Sequence, residues 1–227
     1  MDKFFGILDQ LKDMSQGKVI VGLSGGKDSL AVLDLLLSRG FTVYPYALYS
    51  CPGIRFWEKQ IDAIERRTGL TIPRFPHPDL CAYVQGGHYR TPLPDFPKLT
   101  HTELPDLIRA YYGDMNPWIA NGEKMCDALQ RRGMISACGG LDEKRRVAYP
   151  LAHWNDGQVF SYLRHRRIAL PPDYSSGVGG SWGGKLSPEW LKWIHATYPE
   201  DFARLERFYP HIRAALLKPS AMKGRRL

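Results

Sequence analysis

Apolar residues recur at helical spacing through Phe4, Phe5, Ile7, Leu8 and Leu11, and Gly17 then interrupts the pattern. Lys18-Val-Ile-Val-Gly-Leu23 follows, short and apolar enough for a buried strand. From Asp28 the spacing is helical again, through Leu30, Val32, Leu33, Leu36 and Leu37, and it stops near Gly40, where glycine can take the left-handed conformation. Phe41 to Tyr49 reads as a second strand, made irregular or edge-like by Pro45. A helix through Trp57, Ile61 and Ile64 closes at Gly69, and a third short strand is predicted near Leu70 to Ile72. Strands alternating with helices predict an α/β fold, a parallel twisted sheet with helices on both faces.

The pattern then changes. Seven prolines between Pro73 and Pro105, with Gly86-Gly87 among them, make residues 73–105 a poor host for long regular structure, and the segment reads as an insert or lid. Helices are predicted near Glu103 to Tyr112 and Ala120 to Arg131, strands at Met134 to Cys138 and Val147 to Tyr149, and a helix capped by Asn155 that carries Val159, Phe160, Tyr162 and Leu163. Gly177 to Gly184 is glycine-dense and reads as a loop. Ser187-Pro188-Glu189 then has the residue order of a helix start, with Trp190, Leu191 and Ile194 behind it. The tail beyond Pro219, with Lys223, Arg225 and Arg226, reads as frayed and basic. The expected organisation is an α/β domain over 1–175 containing the insert, followed by a glycine-rich loop and helical extension over 176–227 packed on the same domain.

Composition narrows the class. A chain of 227 residues with 44% hydrophobic and 24% charged positions has room for a sizeable core, which excludes disorder, collagen and coiled coil. No apolar run approaches the roughly 20 residues of a membrane span, and the N-terminus lacks a secretory pattern, so a soluble, cytoplasmic protein is expected. Four scattered cysteines without a CxxC pair predict reduced thiols, and the seven histidines show no metal-binding spacing. The net charge of +8 favours polyanionic partners, nucleotides or nucleic acid. Oligomeric state leaves no mark on the sequence.

The chemistry concentrates at Gly22-Leu23-Ser24-Gly25-Gly26-Lys27-Asp28-Ser29, where a predicted strand ends and a helix begins. In a parallel sheet that junction lies on the ligand-binding edge. Gly25 and Gly26 let the backbone approach an anion, the first helical amides lack partners, and the helix dipole presents its positive end. Lys27 adds charge, Ser24 and Ser29 hydroxyls suit phosphate oxygens, and Asp28 is a candidate Mg2+ ligand, directly or through water. The Walker pattern fails, because it requires glycine at Val21 and a hydroxyl at Asp28.

Ser-Gly-Gly-Lys-Asp-Ser instead resembles the pyrophosphate-binding loop of the ATP pyrophosphatase (PP-loop) superfamily, whose members cleave ATP between the α and β phosphates and often transfer AMP. Four further stretches resemble the second half of phosphoadenylyl-sulfate (PAPS) reductase-type proteins: Lys124 to Leu129, Ile135 to Leu141, Tyr149 to Trp154, and Val159 to Leu163 with Leu170 to Tyr174. The resemblance covers roughly residues 15 to 210 apart from the insert. It implies an adenine nucleotide alpha hydrolase-like fold and a nucleotide-binding first domain using ATP and Mg2+. It also implies that Gly139 and Gly140 end a strand beside the nucleotide, that Arg145 or Arg146 reaches phosphate or sulfate, and that Tyr49 and Ser50 fall beside adenosine. Trp154 and Asp156 would brace the helix that follows them. Lys27, Asp28 and Arg145 are the expected catalytic residues.

The resemblance breaks at two places. Sulfonucleotide reductases carry a C-terminal Glu-Cys-Gly-type segment, whereas no cysteine follows Cys138 here. Relatives with an iron–sulfur cluster need clustered thiolates, one CxxC falling where this chain reads Gly-Val-Gly-Gly-Ser-Trp-Gly-Gly, so no cluster is expected. Cys138 reads as a buried thiol at a sheet edge or as a sulfur carrier, and Cys126 as a residue of a packed helix face. Three readings follow: an ATP-dependent adenylating enzyme acting in nucleic-acid modification or sulfur transfer, a PAPS reductase acting with thioredoxin, and a nucleotide-binding module without turnover.

Overall fold

One sheet of six strands is built from β1 (Lys18–Leu23), β2 (Thr42–Tyr49), β3 (Arg74–Pro76), β4 (Trp118–Ala120), β5 (Leu141–Asp142) and β6 (Val147–Ala148), in the spatial order β3-β2-β1-β4-β6-β5. Every neighbouring pair is parallel except β5 with β6. The helices are α1 (Asp2–Met14), α2 (Lys27–Ser38), α3 (Arg55–Thr68), α4 (Pro78–Gly86), α5 (Leu104–Tyr111), α6 (Leu129–Ala137), α7 (Asp156–His165), α8 (Pro188–Thr197), α9 (Pro199–Phe208) and α10 (Ala214–Leu217). The structure, a computed structural model, describes residues 2–113, 117–174 and 186–217. The glycine-dense segment 177–184, the tail beyond Pro219 and the side chains of Phe4 and Phe5 lie outside what it describes.

Alternation along the central strand explains why both faces need helices. Val19, Val21 and Leu23 join Leu33 and Leu36 of α2 and Trp57 and Ile61 of α3 in the main core. Ile20 faces the opposite way, into a smaller cluster with Tyr46, Ile119, and Leu104 and Ile108 of α5. A strand buried on both faces has to be apolar, as this one is from Val19 to Leu23, beyond the exposed Lys18 that opens it. The fold is therefore α/β with a mostly parallel sheet and helices on both faces.

Pro45 is accommodated in an interior strand. Ala47 donates its amide to Pro73 on the β3 side, and Pro45, two residues earlier, faces the same way where β3 no longer reaches. The missing N–H costs no ladder bond there, and the Pro45 carbonyl accepts from the Tyr112 hydroxyl.

Four local expectations are corrected. The third strand lies at Arg74–Pro76 rather than Leu70 to Ile72, because Glu65 takes the Ile72 amide and the segment before Arg74 runs back against α3. Residues 73–105 are no bare lid. They hold β3 and the helix α4, whose Leu80 and Val84 sit in the main core, whose Asp79 amide donates to His77 Nδ1, and whose Pro78 has no N–H to satisfy. The helix predicted over Ala120 to Arg131 is instead the end of β4, a loop, and the start of α6. The strand predicted at Met134 to Cys138 is the second half of α6 with its C-cap. Gly139 and Gly140, at φ +60° and +90°, consequently leave a helix rather than end a strand.

The topology positions a site. From β1 the chain moves outward to β2 and β3, then returns to lay β4 on β1's other side. At such a reversal the loops leaving the two central strands diverge and open a crevice at their carboxyl ends. Here the crevice lies between the loop after β1 and the loop after β4.

Candidate functional site

Ser24, Gly25 and Gly26 make the whole turn from β1 into α2, and Gly25 holds φ at +73°, which favours a residue without a side chain. Ser24 is exposed, and its Oγ accepts the Gly26 amide at 3.2 Å. Ser29 is buried and donates its hydroxyl to the Gly26 carbonyl at 2.9 Å, so this group serves the turn itself. The Lys27 amide donates to the Tyr174 hydroxyl at 2.8 Å. Burial pushes the Tyr174 phenol up to about 12, which keeps it neutral and leaves its own O–H as a donor. The amides of Asp28 and Ser29, also in the first turn, have no acceptor within the helix.

Over this helix start lies the loop that leaves β4. Gly122 passes so close that a Cβ would stand 3.0 Å from the Asp28 backbone carbon and Cβ, so any larger residue would have to push the helix start aside by a few tenths of an ångström. The close passage delivers Lys124, 1% exposed along its side chain, to a group of carboxylates. Its Nζ lies 2.8 Å from Asp28 Oδ1, 2.9 Å from Asp127 Oδ1 and 3.4 Å from Asp156 Oδ1. Lys27 completes the group, 2.8 Å from Asp28 Oδ2 and 3.1 Å from Asp156 Oδ1. Burial would lower the Lys124 pKa, yet hydrogen bonds to Asp28 and Asp127 outweigh it and hold the ammonium firmly charged. Burial would likewise raise Asp127 and Asp156, but Lys124 for the first and Lys27 for the second keep them below the usual carboxylate range.

The arrangement is a helix start flanked by two ammonium groups, each held by carboxylates, the kind of geometry that can receive an anion. Lys27, Lys124 and Arg131, which is 3.0 Å from Asp127, balance Asp28, Asp127 and Asp156. The group is thus close to neutral, and an incoming polyphosphate needs a cation with it. Mg2+ takes one or two carboxylates plus phosphate oxygens and water, and Asp28, part exposed at 27%, fits that limited role although both its oxygens already accept an ammonium. Among the described residues no group of three or more His, Cys, Asp or Glu is arranged to hold a metal alone.

The remaining expected site residues scatter. Tyr49 and Ser50 end β2 on the same carboxyl edge, but Ser50 is buried and its carbonyl accepts the Tyr209 hydroxyl at 2.8 Å. Gly139 and Gly140 lead into the edge strand β5, three strands from β1, and Gly140 packs against Ile7. Arg145 and Arg146 precede β6 and so lie at the amino edge, about 20 Å of strand rise below the loop after β1. Arg145 spends its guanidinium on Asp142 at 2.6 Å.

The cysteines separate by environment. Burial pushes the Cys51 thiol up to about 12, and Cys81 is also raised by burial. Cys138, at the end of α6, donates back to the Ile135 carbonyl at 3.4 Å. Cys126 is not on a helix face: it is exposed in the loop after Lys124.

Lys124, Asp127, Gly122 and Tyr174 were not among the residues expected at the site, and Asp156 was expected only to brace a helix. Gly122, Lys124 and Asp127 all belong to the loop after β4, and a strand of three residues gives the sequence too faint a pattern to mark that loop as the second wall of the crevice.

No protein-family model matches the chain, and no curated protein matches it. Among solved structures, an NH3-dependent NAD synthetase from Campylobacter jejuni subsp. jejuni, in complex with the nitrate ion, is similar at 14% identity and a TM-score of 0.49, over 98% of this chain and 100% of that one. A glutamine-dependent NAD+ synthetase from Acinetobacter baumannii, in complex with ADP, gives 14% and 0.49 over 94% of this chain and 43% of that one. The U34-tRNA thiolase NcsA from Methanococcus maripaludis, with its [4Fe-4S] cluster, gives 14% and 0.45 over 97% and 82%.

Proposed function

We propose that the chain is an enzyme of the PP-loop ATP pyrophosphatase superfamily that binds ATP with Mg2+, cleaves it between the α and β phosphates and adenylates an acceptor. One observation carries the reading: Ser-Gly-Gly-Lys-Asp-Ser forms the tight turn at the switch point of a parallel sheet, and the ammonium groups of Lys27 and Lys124 both meet Asp28 there.

In this reading the Asp28 and Ser29 amides and the Lys27 ammonium hold the β and γ phosphates, and Asp28 holds Mg2+. Bound Mg2+ supplies charge neutralisation on the leaving pyrophosphate. Lys27 and Lys124 exchange carboxylate oxygens for phosphate oxygens, so neither ammonium is stripped of partners at any stage. The Tyr174 hydroxyl, which accepts the Lys27 amide in the free protein, gives that amide up to the bound anion. Catalysis is then mainly positioning plus charge stabilisation. In this reading Tyr49, beside Ser50 on the carboxyl edge, serves the nucleoside, while Arg145 and Arg146, on the amino edge, take no part.

The finer assignment, a PAPS reductase-like member, is supported by convergence. Lys124, Asp127, Asp156 and Tyr174 come from, or closely follow, stretches that carry the resemblance; Lys124, Asp156 and Tyr174 meet the loop at residues 24–29, and Asp127 holds Lys124. With no cysteine after Cys138, attack by a C-terminal thiolate is not part of the proposal. The net charge of +8 directs the acceptor toward nucleic acid.

The test is pyrophosphate release from ATP and Mg2+ in the presence of candidate acceptors. Release that disappears in Lys27→Ala supports the proposal. Tight nucleotide binding without any product points to a binding module, and sulfite release from a sulfonucleotide points to a reductase; either result overturns it.

A further inference from the structure

On the α2–α3 side of the sheet, the C-terminal ends of α3 and α7 come together. Arg67 donates to the carbonyls of Arg166 and Arg167, both at 3.1 Å, which ties the two helix ends into one surface. That surface exposes Arg66 and Arg67 from α3 and Arg164, His165, Arg166 and Arg167 from α7 and the residues after it. Among the described residues Asp34 is the carboxylate paired with the cluster: it takes Arg166 at 2.7 Å, with Arg67 at 3.9 Å. Basic residues in a last turn complement the helix dipole. Two such turns placed side by side, against one carboxylate already bonded by the Tyr162 hydroxyl at 2.6 Å, leave a strongly positive face.

A groove of about 190 Å³ starts at this face. Arg67 and Arg167 stand at one end, Leu30, Leu33 and Ile168 form its walls, and Gly25 of the phosphate-binding turn stands at the other. From Leu37 to Gly25 the groove follows α2 for about 18 Å, at 1.5 Å per residue. Positive charge at the entrance, an apolar floor, and a nucleotide-binding turn at the far end suit a polymer whose backbone is anionic and whose bases are flat and apolar on their faces.

We infer that the joined ends of α3 and α7 dock the phosphate backbone of a single-stranded nucleic acid, and that the groove along α2 guides the strand toward the turn at Gly25. The inference rests on the proposed ATP chemistry only in making the docked strand its acceptor. The docking itself stands on the surface alone.

The experiment measures binding of a labelled mixed-sequence single-stranded RNA to the full chain by anisotropy, between about 50 and 200 mM salt. Arg66, Arg164 and Arg167 are exposed and lie outside the phosphate-binding turn, so they are reversed together as R66E/R164E/R167E. The expected result is at least a tenfold loss of affinity with a salt slope shallower by about 2, at roughly 0.7 per lost phosphate contact. The conservative R66K/R164K/R167K keeps the charge and is expected to retain binding and slope, which separates loss of charge from loss of fold. Equal binding by the wild type and the charge-reversed chain overturns the inference. So does wild-type binding to phosphatidylserine vesicles but not to RNA, and so does absence of RNA binding. ATP binding and acceptor-free pyrophosphate release, measured on the same variants, are expected to stay unchanged. A chain that turns over ATP but ignores RNA refutes the docking face alone, and one that binds RNA through these arginines without ATP chemistry refutes the enzyme proposal alone.

Discussion

The Tyr174 hydroxyl accepts the Lys27 amide at 2.8 Å across 147 residues of sequence, so a phenol from the far end of the α/β region holds the first donor of α2. An anion that binds the turn either shares this amide with the phenol or displaces it. Tyr174→Phe removes the competitor. It is expected to lower the stability of the free protein by about 1 kcal/mol, the net worth of one hydrogen bond. It is also expected to tighten pyrophosphate binding by about fivefold, the same energy read as affinity. Urea unfolding and calorimetric titration check the two halves, and weaker pyrophosphate binding in the variant would show that the hydroxyl assists the anion.

Lys124 is held by carboxylates in a place where water hardly reaches it. Lys124→Met matches its length but leaves Asp28 and Asp127 facing an apolar chain. A loss of about 3 kcal/mol is expected, as for other buried pairs with one partner removed. The double variant K124M/D127N is expected to recover part of it. Denaturant unfolding of both measures the coupling, and a Lys124→Met chain as stable as the wild type would mean that the group stays wet.

Much of this site could be read before any coordinates, and the reasons are local. An apolar hexamer, two glycines and a periodic helix over residues 18–38 specify a strand, a turn and a helix from short-range signals alone. The opposite wall could not be read in the same way. Trp118–Ala120 is too short to show a period of two, and its place beside β1 is fixed only by pairing with a strand about a hundred residues earlier. Residues 129–137 misled for a related reason. That helix lies on the surface with Leu129 81% exposed and only Ile135 buried, so its apolar pattern is faint and Met134 to Cys138 imitates a strand. The glycine pair after it, which reads as a strand end, relieves the left-handed backbone after the helix.

Asp173 gives the molecule a pH signature of unusual sign. It is fully buried, and burial raises its carboxyl from the ordinary 3.8 to about 6. The folded state therefore binds this proton more tightly than the unfolded one. The stabilisation it gives is complete below about 3.8 and is lost as pH rises through about 6. Asp127 and Asp156, held low, act in the opposite direction and lose their contribution as pH falls. Asp173→Asn removes only the first effect. Relative to the wild type, the variant is expected to gain about 2 kcal/mol between pH 4 and pH 7, seen in urea midpoints across that range. A flat difference would assign Asp173 no titration there.

Thiol chemistry should separate the four cysteines. Cys126 is exposed in the loop that also carries Lys124, whereas Cys51 and Cys81 are buried, and burial raises both their thiols. Alkylation of the native protein followed by peptide mass analysis is expected to mark Cys126 first, with Cys51 and Cys81 modified only after denaturant is added. Saturation of the nucleotide site is expected to slow the Cys126 reaction, since the loop that carries it also delivers Lys124.

Asp201 of α9 reaches across the chain to accept the Arg55 and Phe56 amides, at 2.9 and 2.7 Å, and thereby closes the N-terminus of α3. Of two neighbouring helices on one edge of the sheet, α3 therefore opens under a carboxylate while α2 opens under a neutral phenol. A single acidic side chain from the last quarter of the chain thus gives two similar helix starts opposite electrostatic character, and disfavours a polyanion at one of them.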